Sequence, residues 1–315
     1  MVTSSAPSGS PLTVASLIPS GTDLVAALGL SDSLVGVSHE CDHEIAAGLP
    51  VLTASNIPAA GTSDGADPGA VDAAVSSTIA AGDSVYLTDR AELMRLQPDV
   101  VLTQDICDVC AVNATQAAAD VPDGTLLLNL QATSIDGLYD DLRRVGEALG
   151  VSARALAIIN SINSRLTALQ ASRPTAPPRV LTLEWGLPPF LGGHWVPELV
   201  ECAGGSNVLS EAGAPSRRTT WDEILAADPD VVVHLPCGYD LETAWAEANG
   251  LLAGPFGQLR AVREGRAWAV NATSHFSRCT PVVAQAAELL ASVFAHSNGL
   301  GPAPAAHLAR RIGTT

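Results

Sequence analysis

Two stretches of the chain carry one pattern of apolar and polar positions. Residues 92–103 (ELMRLQPDVVLT) and residues 223–234 (EILAADPDVVVH) each read as the end of a helix, a Pro-Asp turn and an unbroken apolar run. Such a run, bounded by turn residues, predicts a strand buried on both faces, as in a parallel sheet. A second echo lies earlier in each half. Residues 12–18 run into Pro19-Ser20-Gly21-Thr22 and a helix over residues 23–28, while residues 180–183 run into a Gly/Pro loop and a helix over residues 197–202. Gly29 and Gly204-Gly205 follow those helices where a C-cap favours glycine, and the apolar run 34–37 comes next in the first half. Strands alternating with helices imply parallel sheets with helices on their faces. In such sheets ligands bind beyond the carboxyl ends of the strands.

Between the halves, Ile135, Leu138, Leu142, Val145 and Leu149, then Ile158, Ile159, Ile162, Leu166 and Leu169, recur at helical spacing. Gly150 followed by Ser152 breaks or re-caps the helix, and residues 173–178 (RPTAPP) end it. The organisation expected is α/β: a disordered N-terminus over 1–11, an N-terminal lobe over 12–133, a linking helix over 134–172, a C-terminal lobe over 173–297 and a flexible tail over 298–315. Both lobes are expected to be Rossmann-like. Residues 54–83, rich in Ala, Gly, Ser and Asp, read as a loop around a short helix at 71–81.

Composition sharpens this picture in two places. Hydrophobic residues are 47 % of the chain but aromatics only 4 %, so the core is built from Ala, Val and Leu, and each aromatic position becomes informative. The net charge of −17 comes from 33 acidic against 16 basic residues, all of them Arg, which argues against nucleic acid or an anionic membrane surface as partner. No run approaches the roughly 18 apolar residues of a membrane helix, so the chain is not expected to be membrane-inserted. The first residues lack a basic n-region, and the run 12–18 is short; the expectation is a cytoplasmic protein with reduced cysteines.

The segments that follow predicted strands hold the candidate chemistry: residues 19–22, 38–42, 104–110, 184–186, 194–195, 236–240 and 274–276. Four of the six cysteines fall there, Cys41, Cys107, Cys110 and Cys237. Thiolates suit zinc, iron or an iron-sulfur cluster, and Cys107 and Cys110 are spaced as C-x-x-C, although a structural zinc site normally shows two such pairs. The blander reading makes Cys41 and Cys237 small buried residues. No G-x-S-x-G elbow, G-x-G-x-x-G loop or Walker lysine occurs. Trp185, Trp195, Tyr239 and Phe276 at predicted strand ends suit a wide, flat, partly apolar ligand. The competing reading has Trp185 and Trp195 capping the core of the second lobe.

The segments ASLIPSGTD from Ala15, LVGVSHECD from Leu34, LQPDVVLTQ from Leu96 and GGSNVL from Gly204 carry a resemblance. Over residues 12–294 the chain resembles the helical-backbone metal-receptor superfamily, in its cobalamin-binding-protein-like branch of ABC-transporter solute-binding proteins. The resemblance implies the class III solute-binding fold: two lobes with parallel sheets bridged by a long helix, a cleft with little hinge motion, and a small-molecule metal chelate such as cobalamin, a siderophore or haem. It places Ser20, Thr22, His39 and Glu40 in the cleft wall of the first lobe and Trp185, Trp195, Ser274, His275 and Phe276 in that of the second, to which the strand-end reading adds His194 and Tyr239. It implies an ABC permease as partner. The function expected is non-enzymatic binding of a corrinoid or similar metal chelate, with His39, His194 or His275 as candidate axial ligands to the metal. The alternative is a cytoplasmic metalloprotein or metalloenzyme holding zinc, iron or an iron-sulfur cluster through Cys41, Cys107, Cys110 and Cys237.

Overall fold

The first sheet is wholly parallel. The computed structural model describes residues 11–57, 68–81, 84–104, 112 and 114–313. Its N-terminal lobe runs β1 (Val14–Ser16), α1 (Pro19–Ala27), β2 (Leu34–Gly36), β3 (Thr53–Ser55), α2 (Pro68–Ala80), β4 (Tyr86–Thr88), α3 (Arg90–Leu96), β5 (Val100–Gln104), α4 (Ala114–Asp120) and β6 (Leu126–Leu130). The strand order is β2-β1-β5-β6, and β3 and β4 form a separate antiparallel pair. Helix α1 begins at Pro19, earlier than the apolar pattern suggests. Proline is tolerated there because the first helical N–H has no intrahelical partner. Gly21 is needed for close approach: a Cβ would fall 2.5 Å from Ser16 Oγ and 2.9 Å from Leu102 Cβ. Glycine therefore lets the first turn of α1 sit directly on the ends of β1 and β5.

Two helices follow, α5 (Ile135–Ala148) and α6 (Ser152–Ala171), separated at Gly150, whose φ of +70° favours glycine. The C-terminal lobe then runs β7 (Arg179–Gly186), β8 (Pro189–Leu191), α7 (Val196–Cys202), β9 (Ser206–Asn207), β10 (Arg217–Arg218), α8 (Trp221–Ala227), β11 (Val231–His234), α9 (Leu241–Gly250), α10 (Arg260–Arg263), β12 (Ala267–Val270), α11 (Ala272–His275), α12 (Val283–Ser297) and β13 (Ala309–Arg311). Its seven-stranded sheet has the order β10-β8-β7-β11-β12-β13, with β9 also on β7. Strands β9, β7, β11 and β12 are parallel; β8 is antiparallel to β7, β10 to β8 and β13 to β12. The second sheet is therefore mixed where the sequence pattern predicts a parallel one.

The internal echo is physical. Gln97 and Asp228 both end their helices in the left-handed region, at φ 48° and 41°. Asp89 and Thr220 cap the starts of the same helices, accepting from the amides of Glu92 and Glu223. Asp99 Oδ2 then accepts from the Thr13 amide at 2.8 Å, and Asp230 Oδ2 from the Arg179 amide at 3.0 Å. Each Pro-Asp turn thus fixes the start of the neighbouring strand.

Helix α6 joins the lobes. Its 20 residues span about 30 Å at 1.5 Å per residue. Near its start, Arg154 Nη1 donates to the carbonyls of Leu28 (2.9 Å) and Gly29 (3.1 Å) in the first lobe. Further along, Arg165 forms a two-pronged pair with Glu288 of α12 at 2.7 and 2.6 Å. One continuous core runs through it, joining Val14, Leu102 and Leu138 to Ile159, Ile162 and Leu166 and on to Val180, Val200 and Leu290. Each such side chain contributes about 1.5–3 kcal/mol by burial.

The chain beyond Asn298 departs from the flexible tail expected of its Gly/Pro composition. Strand β13 adds an antiparallel edge to β12, and Ile312 is 1 % exposed. Three tryptophans without an assigned role in the sequence reading account for part of this. The Arg310 guanidinium lies 3.6 Å from the ring centroid of Trp245, whose Nε1 donates to the Arg311 carbonyl, and Arg311 lies over Trp268. Trp221 packs edge-on to Phe256 in the second core. No helix of the described residues is long and apolar enough to cross a membrane.

Candidate functional site

The carboxyl ends of the two sheets face each other, and Arg278 spans the gap. In the first lobe those ends lead into α1 and into residues 38–45 after β2. In the second, β11 ends at His234, level with Leu183 of β7, while β7 continues to Gly186 and projects beyond the row. The projecting Trp185 lies 5.3 Å from Tyr239, ring centre to ring centre, with planes inclined at 58°. Tyr239 is fixed by its own carbonyl, which accepts from the amides of Ala272 and Thr273, both at 3.1 Å. Ser277 Oγ accepts from the Gly238 amide at 3.0 Å, so the loops after β11 and β12 hold each other. Arg278 then reaches across to Asp42 Oδ1 at 2.6 Å and Asp23 Oδ2 at 3.4 Å. A cavity of about 570 Å³ opens between the lobes at this bridge, lined among others by Asp23, Asp42, His43, Ser274, His275 and Arg278. That volume lies in the range of small-molecule sites.

Burial and charge set the protonation of the wall. Burial works against the charge of Arg278, but the carboxylates of Asp42 and Asp23 hold its proton more tightly than usual. Burial pushes the Asp23 carboxyl up, and Arg278 only partly offsets it. Burial also lowers the proton affinity of His275, and electrostatic repulsion from the His307 imidazole lowers it further. Ser274 Oγ lies 2.6 Å from His275 Nδ1 and fixes that side of the ring. Tyr239 is pushed up to about 12, by burial first and then by the charge of Glu247, so it remains a phenol at neutral pH. Glu247 pairs with the fully buried His234 at 2.7 Å. This pair lies directly behind Gly186, where a Cβ would come 3.0 Å from Glu247 Oε1.

The other candidates are distributed unevenly. Thr22 is completely buried in α1, its Oγ1 3.1 Å from Cys41 Sγ, while Ser20 stands in the first turn of the same helix. His39 contacts Thr53 through Nδ1 at 2.7 Å and lies 5.6 Å from the Tyr86 ring; Glu40 beside it is 55 % exposed on its side chain. His194 occupies the left-handed region at φ 53° and lies 5.9 Å from Trp195, near parallel at 26°. Burial lowers its proton affinity, and its Nδ1 is buried without a hydrogen-bond partner. The indole Nε1 atoms of Trp185 and Trp195 are likewise buried and unpartnered, although Trp195 also packs on the main core. Unpartnered buried donors are uncommon in folded proteins, and each calls for an acceptor from an ordered water or a ligand.

One expectation needs correction. Phe276 is 3 % exposed and packs in the core; helix α11 turns it inward under His275, so it shapes the wall from behind. Among the described residues, no group of three or more His, Cys, Asp or Glu side chains is placed to hold a metal ion. Burial pushes the Cys41 thiol up, against the thiolate that a metal would need, and Cys237 is exposed on the loop after β11. Cys107 and Cys110 lie outside the described residues. Sequence reasoning did not find Arg278, Asp23 or Thr53. Arg278 and Asp23 are 255 positions apart, and only the facing sheets bring them together.

The chain belongs to the periplasmic binding protein family, whose profile matches residues 14–267. Among its relatives is the cobalamin-binding protein of Halobacterium salinarum (strain ATCC 29341 / DSM 671 / R1), 27 % identical over 230 residues; the match spans 69 % of this chain and 58 % of the relative's length. Solved structures share the fold. The periplasmic vitamin B12 binding protein of Vibrio cholerae superposes with a TM-score of 0.65 at 20 % identity, covering 91 % of this chain and 98 % of that one. A periplasmic haem-binding protein from Pseudomonas aeruginosa gives a TM-score of 0.66 at 20 % identity, covering 97 % and 99 %. The family resemblance carried by the sequence motifs is borne out, as is the two-lobed α/β class.

Proposed function

We propose that the protein binds a macrocyclic metal chelate, a corrinoid or a close analogue such as haem, between its two lobes. The observation that carries this reading is the pair of facing strand ends, held together by α6, with indole donors at Trp185 and Trp195 that lack partners. The Trp185–Tyr239 pair offers an apolar wall suited to the face of a macrocycle. His275 is the imidazole best suited to ligate the chelated metal: its lowered proton affinity keeps it neutral at neutral pH, and Ser274 orients the ring. Membership in the periplasmic binding protein family, a relative named as cobalamin-binding and two neighbours named for vitamin B12 and haem support this class of ligand. The partner this reading implies is an ABC permease that receives the chelate.

The test is titration of the purified protein with aquocobalamin and, separately, with haemin, followed by calorimetry and visible absorption. Saturable heat with a shifted visible band for either probe is expected. Absence of both signals for both probes at saturating concentration overturns the proposal.

A further inference from the structure

Two buried hydroxyls behind the first-lobe wall fix where the His39 proton sits. Thr53 Oγ1 is approached by the backbone amide of His39 at 3.1 Å, by His39 Nδ1 at 2.7 Å and by Ser38 Oγ at 2.9 Å. Ser38 Oγ is in turn approached by the Glu40 amide at 3.3 Å. Ser38 and Thr53 are 4 % and 6 % exposed, so their protons have to be placed within this group.

Each hydroxyl has one proton and two lone pairs, and a backbone amide can only donate. Thr53 Oγ1 therefore accepts from the His39 amide, and Ser38 Oγ accepts from the Glu40 amide. If Ser38 donates to Thr53, both lone pairs of Thr53 are filled and its own proton goes to His39 Nδ1. Every donor and acceptor is then used. If Thr53 instead donates to Ser38, the Ser38 proton is left buried with no acceptor, a cost the first arrangement avoids.

We infer that His39 is held with its ring proton on Nε2 and serves the cleft as a hydrogen-bond donor to an oxygen on the rim of the bound chelate, not as a ligand to its metal. This rests on the chelate-binding reading above. The chemistry selected is a macrocycle with carboxamide or carboxylate oxygens at its edge. Nε2 is buried without a hydrogen-bond partner; Glu40 Oε1 lies 3.3 Å away, but off the line of the N–H. The donor is therefore oriented from behind, and in front of it a rim oxygen would take the place now held at 3.3 Å by the half-exposed Glu40 carboxylate. Coordination of a metal would need a lone pair on that same nitrogen, and Thr53 holds the ring in the tautomer that lacks one.

The test has an arm without ligand and an arm with it. In protein labelled with ¹⁵N-histidine, two-bond proton–nitrogen correlation spectra at neutral pH, assigned with His39→Gln, should show the His39 proton on Nε2. Thr53→Val should raise the Nδ1–H population or broaden the signal. A proton on Nδ1 in the unaltered protein overturns the inference. In the second arm, His39→Gln, which keeps an N–H near the position of Nε2, should bind aquocobalamin or haemin within about threefold of the unaltered protein, whereas His39→Leu should lose about tenfold. Equal losses in both variants, or loss of an imidazole-coordinated visible band in His39→Gln, overturn the inference in favour of metal ligation. Carboxamide-rimmed aquocobalamin and carboxylate-rimmed haemin separate the two kinds of acceptor oxygen. If neither probe binds the unaltered protein, the proposed function and the rim acceptor fall together, while the tautomer is still decided by the first arm.

Discussion

Trp185 and His275 bear the residue-scale consequences. Trp185→Ala removes one ring of the Trp185–Tyr239 pair and an unpartnered donor, and is expected to weaken chelate binding about tenfold, a loss of about 1.4 kcal/mol, read by titration. The folded His275 binds its proton less readily than an ordinary imidazole at 6.5. Below that value the unfolded chain takes up the proton first, so the stability linked to neutral His275 is present above pH 6.5 and lost as pH falls through the lowered folded value. Melting temperatures measured from pH 7.5 to 5.0 should fall, and His275→Asn should flatten part of that fall. At this scale the sequence shows which candidate side chains stand at strand ends, because Trp185, His39 and His275 each stand just past an apolar run. It does not show how they are held. Thr53 lies 14 positions from His39 on a strand that pairs outside the main sheet, and Phe276 turns inward only because α11 is a single helical turn.

Elements meet at two fastenings, the Arg278 bridge and the C-terminal strand. Arg278→Gln leaves the buried Asp23 carboxylate without its cation and is expected to cost about 1.5–3 kcal/mol, read from the denaturant midpoint. Because Asp42 is half exposed, its coupling to Arg278 in a cycle with Asp42→Asn should be only about 0.5–1 kcal/mol. Ending the chain at Leu300 removes β13 and uncovers Trp245 and the Ile312 site, so the melting temperature should drop in a thermal scan. The paired Pro-Asp turns were legible because helix end, turn and strand are all local signals. The bridge was not, since ion pairing between lobes leaves no periodic trace. The tail misled because Gly-Leu-Gly-Pro-Ala-Pro reads as punctuation, while the two arginines that clamp it onto tryptophan rings read as surface charge.

At the scale of the molecule, α6 and the core running through it make the lobes one cooperative body. All five tryptophans lie in the C-terminal lobe, so indole fluorescence follows that lobe alone, whereas far-ultraviolet circular dichroism follows both. The two unfolding curves should coincide. Ile162→Ala, in the shared core, should lower both together by about 2–5 kcal/mol. The presence of a linking segment was legible from its apolar period. That its two ends grip different lobes was not, because Arg154 and Arg165 look alike in sequence until one meets the carbonyls of Leu28 and Gly29 and the other meets Glu288. On the chelate-binding proposal, a strut of this kind also bears on how the ligand departs. Wide swings of whole lobes drag solvent, and a ligand freed by such swings leaves more slowly in a thick medium. For the proposed chelate, departure would then require loosening of the wall around Trp185, Tyr239 and Arg278. The off-rate of a bound chelate should respond to changes at those residues and stay nearly constant when glycerol or sucrose thickens the buffer.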